Sequence, residues 1–291
     1  MQEKKPELSI VVPAKDEAAS LPSLLHKLRA LHPDAEIVVV DDGSSDGTAE
    51  IARAAGAVVI THPYSLGNGA AVKSGARSAR GEILVFMDAD GQHATEDIAR
   101  LQAMFDKGYD MVIGARSGGS HASLGRRFAN GTYNMLASWM VGHRIEDLTS
   151  GFRVARAVLF KEYLHLLPNG FSYPTTITMA FFRAGFRVGY VPIEAGRRQG
   201  QRASHIRPLR DGVRFLLIIF KITTLYSPFK IFLPIAGLFF VAGLANYIRT
   251  FISHHQFTNM SALLFITATL VFLIGLVSEQ ITNLVFTRQQ R

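Results

Sequence analysis

Asp88 and Asp90 stand one residue apart after the apolar run Ile83–Met87, and Gln92 follows two positions later. A strand ending in Asp-x-Asp-x-Gln offers hard oxygen donors at one place. That is the ligand chemistry of Mg²⁺ or Mn²⁺ carrying a diphosphate. Acidic pairs also cap surface turns, but a strand this apolar is expected inside a sheet, its end opening into a cleft. Two more acidic segments follow strand-like runs: Pro13-Ala14-Lys15-Asp16-Glu17 after Leu8–Val12, and Asp41-Asp42-Gly43-Ser44-Ser45-Asp46-Gly47 after Ile37–Val40. Ligands of open parallel sheets bind beyond the carboxyl ends of the strands, so three acidic loops are expected at one edge. Such carboxylates repel unless a cation and hydrogen-bond donors are present, and a metal-bound nucleotide supplies both. Ser44 or Ser45 also reads as a helix N-cap. Gly67-Asn68-Gly69 reads as a phosphate cradle or as a plain turn, since neither P-loop spacing nor Gly-x-Gly-x-x-Gly is present.

The elements that must position these residues alternate. Strand-like runs at 8–12, 37–40, 58–61 and 83–87 are separated by helical patterns, the first marked by Leu21, Leu24, Leu25, Leu28 and Leu31. Near-continuous apolar strands with intervening helices predict an α/β fold, a mostly parallel sheet covered on both faces. A strand at 111–114, helices near 128–141 and 175–184, and a strand at 188–193 follow. Trp139, the single tryptophan, reads as core or interface packing. His93 reads as a neutral or solvent-facing neighbour of the metal motif rather than a ligand. Asp147 and Arg153 are candidates for a structural ion pair.

Charge is unevenly distributed over the 291 residues. Residues 197–230 hold eight Lys or Arg against one acid, Asp211, and carry almost all of the net charge of +8. The block directly precedes the most apolar part of the chain, which predicts a membrane surface rather than nucleic acid as its partner. With no cysteine, disulfide and thiolate chemistry are excluded. Residues 1–7 are polar and do not read as a cleavable signal sequence. Two long uncharged runs predict spans near Phe229–Phe251 and Ala262–Phe286, the alternative being a buried core hairpin. Basic residues before the first span and Arg288 and Arg291 after the second predict an integral membrane protein with the catalytic body and both termini cytoplasmic. Residues 207–227 read as an interfacial amphipathic segment, with Arg210, Arg214 and Lys221 reaching for lipid phosphates. Glu279, late in the second span, pairs with a basic neighbour or sits at the interface. The expected organisation is a catalytic domain at 1–206, interfacial helices at 207–227 and a transmembrane hairpin at 228–291.

Three segments in this order carry a family resemblance: Ile10–Glu17, Val39–Thr48 and Met87–His93. Together they resemble the family 2 inverting glycosyltransferases of GT-A fold. Asp147-Leu148-Thr149-Ser150-Gly151-Phe152-Arg153 and the basic segment before Ser227-Pro228-Phe229-Lys230 resemble the branch of dolichol-phosphate mannose synthases and polyprenyl-phosphate glucosyltransferases. The resemblance implies that Pro13, Ala14, Glu17, Asp41 and Asp42 hold the nucleotide. It implies that Asp88, Asp90 and Gln92 bind Mg²⁺ or Mn²⁺, with Asp88, Asp90 and Arg116 catalytic. Arg116, Arg126, Asn130, Arg202 and Ser204 are implied to receive the acceptor phosphate. Two departures stand out: Asn130 replaces the family's usual serine, and Gly200–His205 is longer than its Gly-x-Ser-Lys. The implied reaction moves a hexose from a nucleotide sugar, GDP-mannose ahead of UDP-glucose, to a dolichyl or undecaprenyl phosphate. The implied partners are donor, lipid acceptor and membrane, with no nucleic acid and with room for a homo-oligomer. Competing readings are a glycan-elongating membrane glycosyltransferase, against which the absent Gln-x-x-Arg-Trp motif speaks, and a non-catalytic membrane scaffold, against which the intact acidic residues speak.

Overall fold

The structure, a computed structural model, describes residues 6–116, 124–170, 173–194, 224 and 226–287. The chain divides into two units, 1–205 and 206–291.

The first unit is built on strands β1 (Leu8–Ala14), β2 (Glu36–Asp41), β3 (Val58–Thr61), β4 (Ile83–Phe86), β5 (Met111–Arg116), β6 (Arg153–Arg156) and β7 (Val188–Ile193). They form one sheet in the order β3-β2-β1-β4-β6-β5-β7. β1 and β2 are buried along their whole length, as strands covered on both faces must be. Helices α1 (Leu21–Leu31), α2 (Thr48–Ala54), α3 (Asn68–Ser78), α4 (Asp97–Phe105), α5 (Leu124–Val141), α6 (Ala157–Glu162) and α7 (Tyr173–Arg183) connect and cover them. α1 buries Leu21, Leu24, Leu25 and Leu28 and carries a proline in its first turn, where no N–H is lost. α3 approaches the sheet closely because Gly75 has no side chain: a methyl there would overlap Val11.

β6 departs from the expected pattern, and α4 and α6 were not anticipated either. β6 pairs antiparallel with both β4 and β5, which it separates. Its amino end therefore lies at the carboxyl edge of its neighbours. Gly114 N–H donates to Phe152 O at 3.0 Å, and Arg153 stands opposite Phe86 and Ile113. The reversal brings the loop before β6, residues 147–152, to the edge where β4 and β5 end.

The second unit contains α8 (Pro228–His254) and α9 (Asn259–Thr287). Both are long and apolar enough to cross a membrane, with mean hydropathies of 2.0 and 2.5. Only 11% and 17% of their most apolar stretches are buried within the chain, whereas a core hairpin would be mostly buried. Near the connecting loop, Asn246 Nδ2 donates to Ser261 Oγ at 2.9 Å and to Thr258 Oγ1 at 3.2 Å. At the opposite end Glu279 Oε2 accepts the Phe229 N–H at 3.3 Å, the place where a carboxylate favours a helix start. Glu279 thus caps a helix. The expected interfacial segment, 207–227, lies outside the described residues except for Thr224, Tyr226 and Ser227.

Candidate active site at the carboxyl edge of the sheet

The β1 and β2 loops are laced together. Asp42 N–H donates to Ala14 O at 2.9 Å, Asp16 N–H to Ser44 Oγ at 2.9 Å, and Glu17 N–H to Thr48 Oγ1 at 3.0 Å. Asp16, at φ +53°, returns the contact by accepting Ser45 N–H at 2.9 Å. Ser44 and Ser45 are therefore not helix caps, a correction to the sequence reading. Gly47 takes the N-cap position of α2, and Asp46 accepts the Thr48 N–H at 3.2 Å. Pro13 and Ala14 end β1, next to Asp41 at the end of β2. Glu17 Oε2 accepts from Ser20 Oγ at 2.7 Å, and Asp41 Oδ1 accepts the Ser44 N–H at 3.0 Å.

Asp42 is 4% exposed and its carboxylate is filled by the protein itself. Oδ1 lies 2.7 Å from His62 Nδ1 and 2.8 Å from Leu66 N; Oδ2 lies 2.7 Å from Ser65 Oγ and 2.9 Å from Gly67 N. Burial acts to raise its pKa, but these four donors outweigh it and hold the carboxyl below its ordinary value. Asp42 shapes the loop between β3 and α3. The same bonds bear on Gly67-Asn68-Gly69. A side chain at Gly67 or Gly69 would overlap the backbone of Asn169 or Pro168, and Ala70 N–H donates to Asn169 O at 3.1 Å. The glycines, at the N-cap and in the first turn of α3, admit a packed backbone crossing.

Asp88 and Asp90 follow β4. Asp90 is 8% exposed and accepts the Gln92 N–H at 3.1 Å across Gly91, whose φ is +71°. Asp88 faces the loop before β6: a methyl built on Gly151 would lie 3.2 Å from Asp88 Oδ2. Among the described residues no three His, Cys, Asp or Glu converge to hold a metal by themselves. Asp88, Asp90 and Gln92 carry two carboxylates and one amide oxygen between them. That fits a divalent ion of the Mg²⁺ class, which binds through one or two carboxylates and completes its shell with substrate phosphates. His93 is buried rather than solvent-facing. Its ring stacks on Phe152 at 5.0 Å, and burial pushes its pKa down against the pull of Asp90.

Arg116 ends β5 and meets Asp147. Nε donates to Oδ2 at 2.8 Å and Nη2 to Oδ1 at 3.1 Å, with a further bond from Nη2 to Thr149 Oγ1 at 2.5 Å. Asp147 also accepts the N–H groups of Thr149 and Ser150. Burial would raise the Asp147 carboxyl, but the Arg116 bonds and these donors leave it below its ordinary value. The expected Asp147–Arg153 pair is not formed. Arg153 is fully buried and donates instead to Ser150 O, Pro174 O and Thr178 Oγ1. Asn134 on α5 holds the acidic loop, its Nδ2 donating to Glu146 O at 2.7 Å and its Oδ1 accepting Leu148 N–H at 3.2 Å. Trp139 is 51% exposed, so it is not core. The side chains of Arg126 and Asn130, and Arg202 and Ser204 altogether, lie outside the described residues.

Comparison with known proteins adds family and fold. Residues 9–164 match the profile described as Glycosyl transferase family 2, and residues 227–284 the one described as GtrB C-terminal hairpin. A polyprenol monophosphomannose synthase of Mycolicibacterium smegmatis is 34% identical over 65% of this chain and 77% of its own length. An undecaprenyl-phosphate 4-deoxy-4-formamido-L-arabinose transferase of Pseudomonas fluorescens is 32% identical over 58% of this chain, which spans only 55% of that relative. Among solved structures, glucosyl-3-phosphoglycerate synthase of Mycobacterium tuberculosis, in complex with Mn²⁺ and UDP-glucose, superposes with a TM-score of 0.58. That likeness holds at 22% identity over 74% of this chain and 77% of that one, and it shows a shared GT-A fold.

Proposed function

The chain belongs to glycosyl transferase family 2, and from that premise we propose that it transfers a sugar from a nucleotide-diphosphate donor to the phosphate of a polyprenyl lipid. The observation that carries the reading is the meeting at one sheet edge of Asp88 and Asp90 after β4 with Arg116 at the end of β5. The likeness of residues 227–284 to the GtrB hairpin and the names of the relatives support a lipid-borne acceptor.

Asp88 and Asp90, with Gln92, would hold a divalent cation, which supplies charge neutralisation for the departing nucleoside diphosphate. The rest falls to the chain's own residues. Pro13, Ala14, Glu17 and Asp41 border the nucleoside, and Asp42 contributes by shaping the neighbouring loop. Arg116 receives the acceptor phosphate. Asp147 fixes the Nε and Nη2 side of its guanidinium, leaving Nη1 for a phosphate oxygen. Arg126, Asn130, Arg202 and Ser204 join it in this proposal. The acceptor oxygen is already anionic, so positioning rather than proton removal is required of the site. That oxygen bonds to the anomeric carbon as the carbon–oxygen bond to the diphosphate breaks. The electron pair leaves with the diphosphate, and the configuration inverts.

The eight basic residues of 197–230 support a topology with both ends of the hairpin, and the first unit, on the cytoplasmic side. The donor is tested by thermal unfolding of the full chain in detergent with Mn²⁺ and a panel of nucleotide sugars. A donor at 100 times its Kd stabilises the fold by about 2.7 kcal/mol, and GDP-mannose is the first candidate, ahead of UDP-glucose. No shift with any nucleotide sugar would count against the reading.

A further inference from the structure

Arg153 is a fully buried arginine with no carboxylate bonded to it among the described residues. Burying a guanidinium without an ion-pair partner is costly, so its location needs a reason. Its Nη2 donates to Ser150 O. Its Nη1 donates at 3.2 Å to Pro174 O and to Thr178 Oγ1, in the first turns of α7. The planar fork thereby ties the loop before β6 to α7. Beyond Ser150 comes Gly151. Its carbonyl accepts the Tyr173 hydroxyl at 3.4 Å, and a methyl built on it would lie 3.1 Å from Tyr173 Oη and 3.2 Å from Asp88 Oδ2. Burial and the Asp88 charge both push the Tyr173 pKa upward, so Tyr173 remains a neutral phenol. Burial pushes the Arg153 pKa below its ordinary value, and the charges of Asp147 and Asp88 act against that shift.

We propose that Arg153 and Gly151 are positioning residues for the cation site: Arg153 anchors the Ser150–Gly151 backbone, and the bare Cα of Gly151 forms the wall against which the Asp88 carboxylate is set. This rests on the assignment of Asp88 to the metal. Lysine at 153 keeps a charge but loses the planar fork that reaches Ser150 and α7 together. Alanine at 151 keeps the Arg153 bonds and presses on the far ends of two side chains, Asp88 and Tyr173. Groups that orient a metal ligand without touching the metal typically alter affinity by 10–100-fold.

The test titrates Mn²⁺ into the full chain with excess guanosine or uridine diphosphate, reading free Mn²⁺ by electron paramagnetic resonance, and records thermal unfolding without metal. Arg153→Lys and Gly151→Ala are both expected to weaken Mn²⁺ binding by about tenfold or more. Gly151→Ala is expected to do so with metal-free unfolding close to wild type, an outcome that loss of packing alone would not give. If Arg153→Lys fails to fold, Gly151→Ala decides. A Gly151→Ala protein that binds Mn²⁺ as the wild type does would overturn the inference while leaving the proposed function standing. A wild type that binds no Mn²⁺ with either diphosphate would overturn both.

Discussion

Arg116 and Asp147 form a two-point ion pair across the antiparallel strand, 2.8 Å from Nε to Oδ2 and 3.1 Å from Nη2 to Oδ1. They are 31 positions apart, and only the reversal of β6 lets the ends of β5 and of the 147–152 loop coincide. Asp147→Asn keeps the shape and removes the charge. Loss of one partner of a buried pair costs about 3–5 kcal/mol. The Arg116 side chain is 35% exposed and is screened accordingly, so the expected cost is about 1–3 kcal/mol. The acceptor KM is expected to rise more than the donor KM. Chemical denaturation together with steady-state kinetics on both substrates checks this.

Asn134→Ala removes the two bonds that hold Glu146 and Leu148 to α5. Each such bond contributes roughly 1 kcal/mol. Turnover is expected to fall further than stability, because the loop carrying Asp147 loses its tether. Parallel unfolding and rate measurements on the variant separate the two effects.

Acid should unfold the first unit partly through Asp42. Its pKa in the folded chain lies below the ordinary value, so its contribution is fully present above the unfolded pKa of about 3.9. It is lost as pH falls from there through the folded pKa. Asp42→Asn is expected to flatten the fall in stability below about pH 4 while lowering stability at pH 7. Denaturation midpoints measured from pH 3 to pH 7 test both halves of this statement.

Gly69→Ala distinguishes a packed crossing from a phosphate cradle. A methyl there overlaps the Pro168 carbonyl, and overpacking of this kind costs about 1–3 kcal/mol. The loss is expected without nucleotide present. A variant as stable as the wild type that binds nucleotide more weakly would favour the cradle.

The parallel half of the sheet was legible because its strands are continuous apolar runs, and Asp88-x-Asp90 was legible because it ends one of them. β6 was not. Arg153-Val-Ala-Arg156 is four residues long with a charge at each end, and only its place between β4 and β5 makes it a strand. Arg153 reads as a structural ion-pair partner for Asp147 because sequence spacing carries no information about which side of a strand is buried. The role of Asp42 was half legible. Its carboxylate ends an apolar strand, as a ligand would, but its four donors come from 62–67, beyond the next helix and strand. His62, following β3 as the acidic segments follow β1, β2 and β4, was the available signal.

The most direct measurement follows a radiolabelled nucleotide sugar into polyprenyl phosphate, using the full chain in detergent or vesicles with and without Mn²⁺. The expected result is a labelled lipid of inverted anomeric configuration that disappears with chelator. The rate should fall by about 10²–10³ in Asp90→Ala, the loss of several kcal/mol of charge stabilisation. Wild-type transfer by Asp90→Ala, or label entering a growing glycan instead of the lipid phosphate, would contradict the account.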